Sequence, residues 1–128
     1  MYNLLNWWEQ VGQEWENVFK KAIKLKVSEP SEKELEGIVA LEKIQCSWTS
    51  VQSLQPLAYL TNLKIIRCYD ASLRNLEGIE NLDELAELDC GMNSIESLDP
   101  LKHLKKLRKL NFSQTRISDV EPLKNLLT

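Results

Sequence analysis

The sequence predicts an α/β solenoid. Short parallel strands should line a concave side, turns or 3₁₀ helix should return along a convex side, and a helical cap should close the N-terminal end. Three observations lead there. Cys46, Cys68 and Cys90 each stand 22 residues from the next. Written in rows of 22 from Leu41, the chain aligns without a gap as 41–62, 63–84, 85–106 and 107–128. Residues 1–40 precede the four rows and read as a helical cap, whose Leu35 and Ile38 already fall in the columns of positions 17 and 20. Repeats at a fixed period of this size signal stacked units, none of which can bury its apolar face alone.

Seven columns are apolar in every row, at row positions 1, 4, 6, 11, 14, 17 and 20. In the third row they are Leu85, Leu88, Cys90, Ile95, Leu98, Leu101 and Leu104. The sixth position explains the cysteines. It holds Cys46, Cys68, Cys90 and then Phe112. A metal ligand cannot be exchanged for phenylalanine, whereas a core filler can, so the cysteines should form a buried inward stack. Burial makes a thiol a small hydrophobe and raises its pKa, which leaves it inert. Side by side on parallel strands, such thiols are poorly placed to bridge.

The pattern L-x-x-L-x-L-x-x-N-x-L, with "SLDPLKHL" in the second half of row three, resembles the leucine-rich repeat. The 22-residue length is similar to the short repeats of bacterial internalin-like proteins. The resemblance covers 41–128 and implies a leucine-rich repeat right-handed superhelix. It departs at row position 9, where the family prefers asparagine and this chain has Thr49, Ala71, Asn93 and Thr115. An asparagine there bonds to backbone in the turn, so a looser ladder is expected.

Within each row, positions 3–5 should form the strand, with 4 and 6 inward and 3, 5 and 7 outward, by the period of two. Position 16 is Pro56, Gly78, Pro100 and Pro122. Proline suits the first helical position, because its missing N–H would have no partner there. In the cap, Leu4, Trp8, Val11, Trp15, Val18 and Ala22 recur at intervals of 4, 3, 4, 3 and 4. That spacing predicts one helix face over 3–23, with Trp8 and Trp15 sealing the open end and Trp7 off the stripe. Ser31 and Glu34, after Pro30, have capping-box spacing for a second helix. At the other end, the outer sides of Leu107, Leu110, Phe112, Ile117 and Leu126 are expected to be open beside an unpaired edge strand. Arg108 and Lys109 there would act as guards against uncontrolled pairing.

Charge is asymmetric. Residues 101–128 carry seven Lys or Arg against two acids, and residues 1–100 carry nine against seventeen. The repeat register places Lys102 one row after Glu80, Lys105 after Asp83, Lys106 after Glu84 and Lys109 after Glu87. A ladder of ion pairs is therefore expected in place of a nucleic-acid patch, which would also want aromatics among the bases. No basic lead and apolar run marks a signal peptide, and no segment approaches the roughly 18–20 apolar residues of a membrane span. A cytoplasmic location is the expectation, with no nucleic acid and no membrane among the partners.

Catalytic chemistry finds little footing, and neither a cofactor nor a metal is expected. The one histidine, His103, falls on the convex side in a column with Tyr59, Asn81 and Asn125. The glycines are scattered and form no phosphate loop. The expected function is therefore a non-catalytic module that binds a protein or peptide on the concave face. Trp48, Ile65, Tyr69 and Met92 put apolar or aromatic surface where water should be. Arg67 stands beside them, expected to pair with Asp89 one row on, and Gly91 leaves room next to Tyr69. Trp, Tyr and Arg dominate binding hot spots. The alternative is self-association through Leu107, Phe112, Ile117 and Leu126, as a homodimer or as part of a longer repeat protein.

Overall fold

Four three-residue strands stand side by side in one parallel sheet in chain order: β1 (Lys43–Gln45), β2 (Ile65–Arg67), β3 (Glu87–Asp89) and β4 (Lys109–Asn111). The computed structural model describes residues 3–26 and 28–126. Residues 1, 2 and 27 of the predicted cap, and 127 and 128 of the fourth row, lie outside the described residues. Each strand is positions 3–5 of its row, and the pairing runs Ile44 to Ile66 to Leu88 to Leu110. The sheet register is thus the 22-residue repeat itself. After β1, β3 and β4 the chain returns through 3₁₀ helices at Gln55–Tyr59, Asp99–Leu101 and Glu121–Leu123, each with proline in its first turn.

The second row has no such helix. Gly78 replaces the proline, takes a φ of +112°, and packs against the row before it. A Cβ at Gly78 would lie 2.6 Å from Gln55 Cα and 2.7 Å from the Leu54 carbonyl oxygen. Its N–H donates to Glu80 Oε1 at 2.7 Å. Only glycine combines that backbone angle with that approach.

The predicted cap helix is two helices, α1 (Leu4–Gln10) and α2 (Gln13–Ala22). Gly12, at φ +88°, turns the chain between them. The break rotates the faces, so Trp7 is buried and Ala22 is exposed, the reverse of the single-stripe expectation. Around fully buried Phe19 gather Trp15 (centroids 5.2 Å), Trp7 (5.4 Å) and Trp8 (6.4 Å). The indole N–H of Trp15 donates to the Ser53 carbonyl at 2.7 Å, and that of Trp7 to Pro56 at 3.1 Å. The tryptophans thereby satisfy convex backbone of the first row while covering its apolar end. Helix α3 (Glu32–Val39) begins on the expected capping box. Glu34 N–H donates to Ser31 Oγ at 3.2 Å, and Ser31 N–H donates to Glu34 Oε1 at 2.8 Å.

Burial follows position in the stack. The apolar columns of rows two and three are buried throughout, and those of row one except half-buried Leu41. In row four Leu110, Phe112, Ile117 and Leu123 are half-buried and Val120 is 53% exposed. Each row is covered by both neighbours except the last. Among the described residues, no helix is long and apolar enough to cross a membrane.

Candidate functional site

The concave face is a grid set by the strand register. Position 3 runs Lys43, Ile65, Glu87, Lys109, and position 5 runs Gln45, Arg67, Asp89, Asn111. A groove of about 190 Å³ crosses β2, β3 and β4, with Ile65, Arg67, Glu87, Asp89, Lys109 and Asn111 among its lining residues. At the strand ends, Tyr69 and Trp48 meet edge to face, centroids 5.1 Å apart at 63°. Tyr69 leans over Gly91, where a Cβ would come within 3.1 Å of the ring. The missing side chain is what lets the ring lie down there.

Position 8 adopts left-handed backbone in every row, with φ of 63° at Trp48, 52° at Asp70, 57° at Met92 and 54° at Gln114. Four non-glycine residues in this region are uncommon and each costs energy. The repeat holds the first three there through the next row: Trp48 N–H donates to the Tyr69 carbonyl at 2.9 Å, Asp70 to Gly91 at 3.0 Å, and Met92 to Ser113 at 2.9 Å. The consequence is outward display. Trp48 is 72% exposed and Met92 39% exposed, so neither folds back into the core.

Of the six concave residues singled out from sequence, the structure brings Ile65, Arg67 and Asp89 together in the groove. Trp48 and Tyr69 form the aromatic pair, and Met92 stands on the rim. The expected Arg67–Asp89 pair does not form. Asp89 Oδ1 instead accepts from Asn111 Nδ2 at 2.9 Å and from Gly91 N–H at 3.1 Å. A short donor one row later and a local turn N–H satisfy the carboxylate, and among the described residues the longer arginine makes no ion pair. Asn111 is the residue sequence reasoning missed. Its place in the same column as Asp89 was the available signal.

The charge ladder forms in part. Lys106 meets Glu84 at 2.9 Å as expected. Glu87 pairs with Arg108 at 3.5 Å in place of Lys109. The pairs Lys102–Glu80 and Lys105–Asp83 do not form, and Glu80 caps the Gly78 turn instead. A further cross-row pair, Lys64–Glu42 at 3.3 Å, follows the same 22-residue register.

The cysteine stack is as expected: Cys46, Cys68 and Cys90 are free and buried. A hydrogen bond with Cys46, then burial, holds the Cys68 thiol well above its ordinary range. Burial, and then the nearby Asp89 carboxylate, pushes Cys90 up to about 12. Thiols of this kind are poor nucleophiles. Asn93 does more than expected. Its Oδ1 accepts from Ala71 N–H (3.0 Å) and Leu73 N–H (2.9 Å), and its Nδ2 lies within 3.0 Å of the Cys68, Cys90 and Gly91 carbonyls. One asparagine thus serves two rows. Thr49 and Thr115 each donate only to the carbonyl three residues back, at 2.6 and 2.7 Å.

At the far end of the stack the expectation of open apolar side chains needs correction. Leu107 and Leu126 are buried, at 4% and 6% exposure. With Leu110, Phe112 and Leu123 they line a cavity of about 210 Å³ beside β4. Ile117 is half-buried and packs on the core outside that cavity.

Residues 83–125 match the family model described as leucine rich repeats (2 copies). No curated protein matches the chain. Among solved structures, the crystal structure of an internalin C2 from Listeria monocytogenes is similar, with a TM-score of 0.66 and 30% sequence identity. The match covers 77% of this chain and 46% of that one, so the chain spans less than half the length of that relative. These likenesses point to an interaction fold of a non-enzymatic kind. Four rows in one register, with the matched repeats among them, give the chain a leucine-rich repeat fold whose repeats resemble those of internalin C2.

Proposed function

We propose that the chain is a non-catalytic module that binds a protein or peptide across its concave face, centred on Trp48, Arg67 and Tyr69. The observation that carries this reading is Trp48: an indole 72% exposed, on left-handed backbone, locked edge to face against Tyr69. Large rigid aromatics beside an arginine make strong contact at low entropic cost. Ile65 and Met92 extend the apolar surface on either side. Asp89 acts from beneath, holding Asn111 and the Gly91 turn on which Tyr69 rests. This reading places the protein in the cytoplasm, where three stacked thiols stay reduced.

The test is differential capture from extracts of the source cells. The immobilised chain is compared with a Trp48→Ala, Tyr69→Ala variant whose melting curve is unchanged. Proteins retained by the first and lost with the second support the concave face. An identical retained set with both would overturn it.

A second reading rests on a different observation. The N–H groups of Cys46, Cys68 and Cys90 each donate to the next row, whereas among the described residues the corresponding Phe112 N–H has no backbone partner. That edge borders the 210 Å³ apolar cavity. Two chains pairing there would form a homodimer. Light scattering across a concentration series, on the chain and on Phe112→Glu, decides it. A dimer broken by the substitution supports the pairing, and a monomer throughout removes it.

A further inference from the structure

The outward charges of the concave face are not equivalent, and their bookkeeping points to the chemistry of the partner. Its acids on the sheet are already engaged within the chain. Glu87 pairs with Arg108, and Asp89 accepts from Asn111 and Gly91. The neighbouring amides are used as well: Gln45 Oε1 accepts from Ser47 N–H at 2.9 Å, and Asn111 Oδ1 from Ser113 N–H at 2.9 Å. The cations are not. Among the described residues, Lys43, Arg67 and Lys109 make no ion pair and no side-chain hydrogen bond. Arg67 and Lys109 both line the 190 Å³ groove, from strands two apart, about 10 Å across the sheet. A chain of net charge −3 therefore turns three unengaged cations toward any partner on this side, against one acid, half-buried Asp70 on the rim, that makes no ion pair among the described residues.

We infer that the segment recognised on the concave face is acidic, an extended peptide or loop that sets carboxylates against Arg67 and Lys109 and an aromatic or aliphatic side chain against Trp48 and Tyr69. The inference rests on the concave-face reading and adds the partner's chemistry to it. A carboxylate brought to Arg67 meets a guanidinium with all its donors available, and a planar fork suited to bidentate contact. A basic segment would have to compete with Arg108 for Glu87 and with Asn111 for Asp89, and would face the three cations besides. Like charges brought together at an interface are rejected. The apolar contact falls beside the charged one, because Tyr69 stands in the turn just two residues beyond Arg67, the last residue of β2.

A phage-displayed library of random dodecapeptides, selected on the immobilised chain, tests this. Enriched peptides are synthesised and titrated by fluorescence anisotropy against three proteins: the chain, an Arg67→Glu, Lys109→Glu variant, and the Trp48→Ala, Tyr69→Ala variant. All four substituted side chains reach solvent, and melting curves establish that each variant is folded. The expected result is peptides with at least two Asp or Glu near an aromatic or aliphatic residue. They should bind about tenfold or more weakly to both variants, with affinity falling as salt rises from about 0.05 to 0.5 M. Neutral or basic peptides that lose affinity on the aromatic variant and keep it on the charge-reversed one would overturn the acidic partner and leave the concave face standing. Peptides bound equally by all three proteins, or no enrichment at all, would overturn the concave face as well.

Discussion

Replacing Asn93 by alanine should be among the most costly single changes to a polar residue in this chain. The side chain is buried between the turns of rows two and three, and no backbone atom can take its place. Its removal orphans two buried N–H donors, Ala71 and Leu73, now held at 3.0 and 2.9 Å. It also takes the side-chain donor from the Cys68, Cys90 and Gly91 carbonyls. Each stranded buried donor costs about 1–3 kcal/mol, and carbonyls with a second lone pair cost less. The sum is about 3–5 kcal/mol. Asn93→Thr should recover part of it, because threonine at Thr49 and Thr115 reaches the carbonyl three residues back. It cannot reach the N–H groups of the row before, so about 2–4 kcal/mol should still be lost. Thr115→Ala, which removes a half-buried bond to the Phe112 carbonyl and a longer one from Ile117 N–H at 3.4 Å, should cost about 1–2 kcal/mol. Urea unfolding followed by circular dichroism gives all three. Tryptophan fluorescence run in parallel reports the cap and first row, since Trp7, Trp8, Trp15 and Trp48 all lie there. If Asn93→Ala costs no more than Thr115→Ala, the two-row role of the asparagine is wrong.

Other outcomes follow from the same geometry. Gly78→Ala should destabilise by about 2–4 kcal/mol, from the left-handed angle and the contact with Gln55 backbone. Gly37→Ala, in α3 with nothing within 4 Å of the added carbon, should stabilise by about 0.5–1 kcal/mol; in thermal melts a stabilised Gly78→Ala would refute the first assignment and a destabilised Gly37→Ala the second. The Cys90 thiol, raised from 9.0 to about 12, should make stability fall as pH rises through that window. There the unfolded chain gives up its proton and the folded chain keeps it, at up to about 1.4 kcal/mol per pH unit. Unfolding free energies measured in reductant from pH 8 to 10.5 should therefore decline less steeply in Cys90→Ala than in the native chain, and equal slopes would count against a buried neutral thiol. Trp15→Phe keeps the ring stacked on Phe19 and removes the bond to Ser53, so it should cost about 1–2 kcal/mol, read from the denaturation midpoint.

Much of this architecture was legible because a repeat reports its own register. Four rows that agree at seven columns specify the strands, their parallel order and the inward face, and the cysteine column follows once Phe112 stands in it. The capping box at Ser31 and Glu34 was legible for a related reason, being a local pattern with one local geometry. Where local pattern and three-dimensional context parted, the sequence misled. The 4-3-4-3-4 stripe of the cap runs through Gly12 as if it were helix, yet the chain bends there, because two short helices cover the end of a narrow coil better than one long one.

The partners of charged side chains were the least legible, and the reason is reach. The repeat says which residues lie above one another. It does not say that Asn111 wins Asp89 from Arg67, or that Arg108 wins Glu87 from Lys109, since side-chain length and direction decide those contests. The left-handed backbone at Trp48, Asp70, Met92 and Gln114 was invisible too, as only aspartate among those residue types favours it. The sequence by itself determined the solenoid, its register and its core, because burial of a periodic apolar pattern leaves one way to stack. The tertiary structure alone decided which groups on the concave face are engaged and which remain free, because that depends on distances between rows that no row contains.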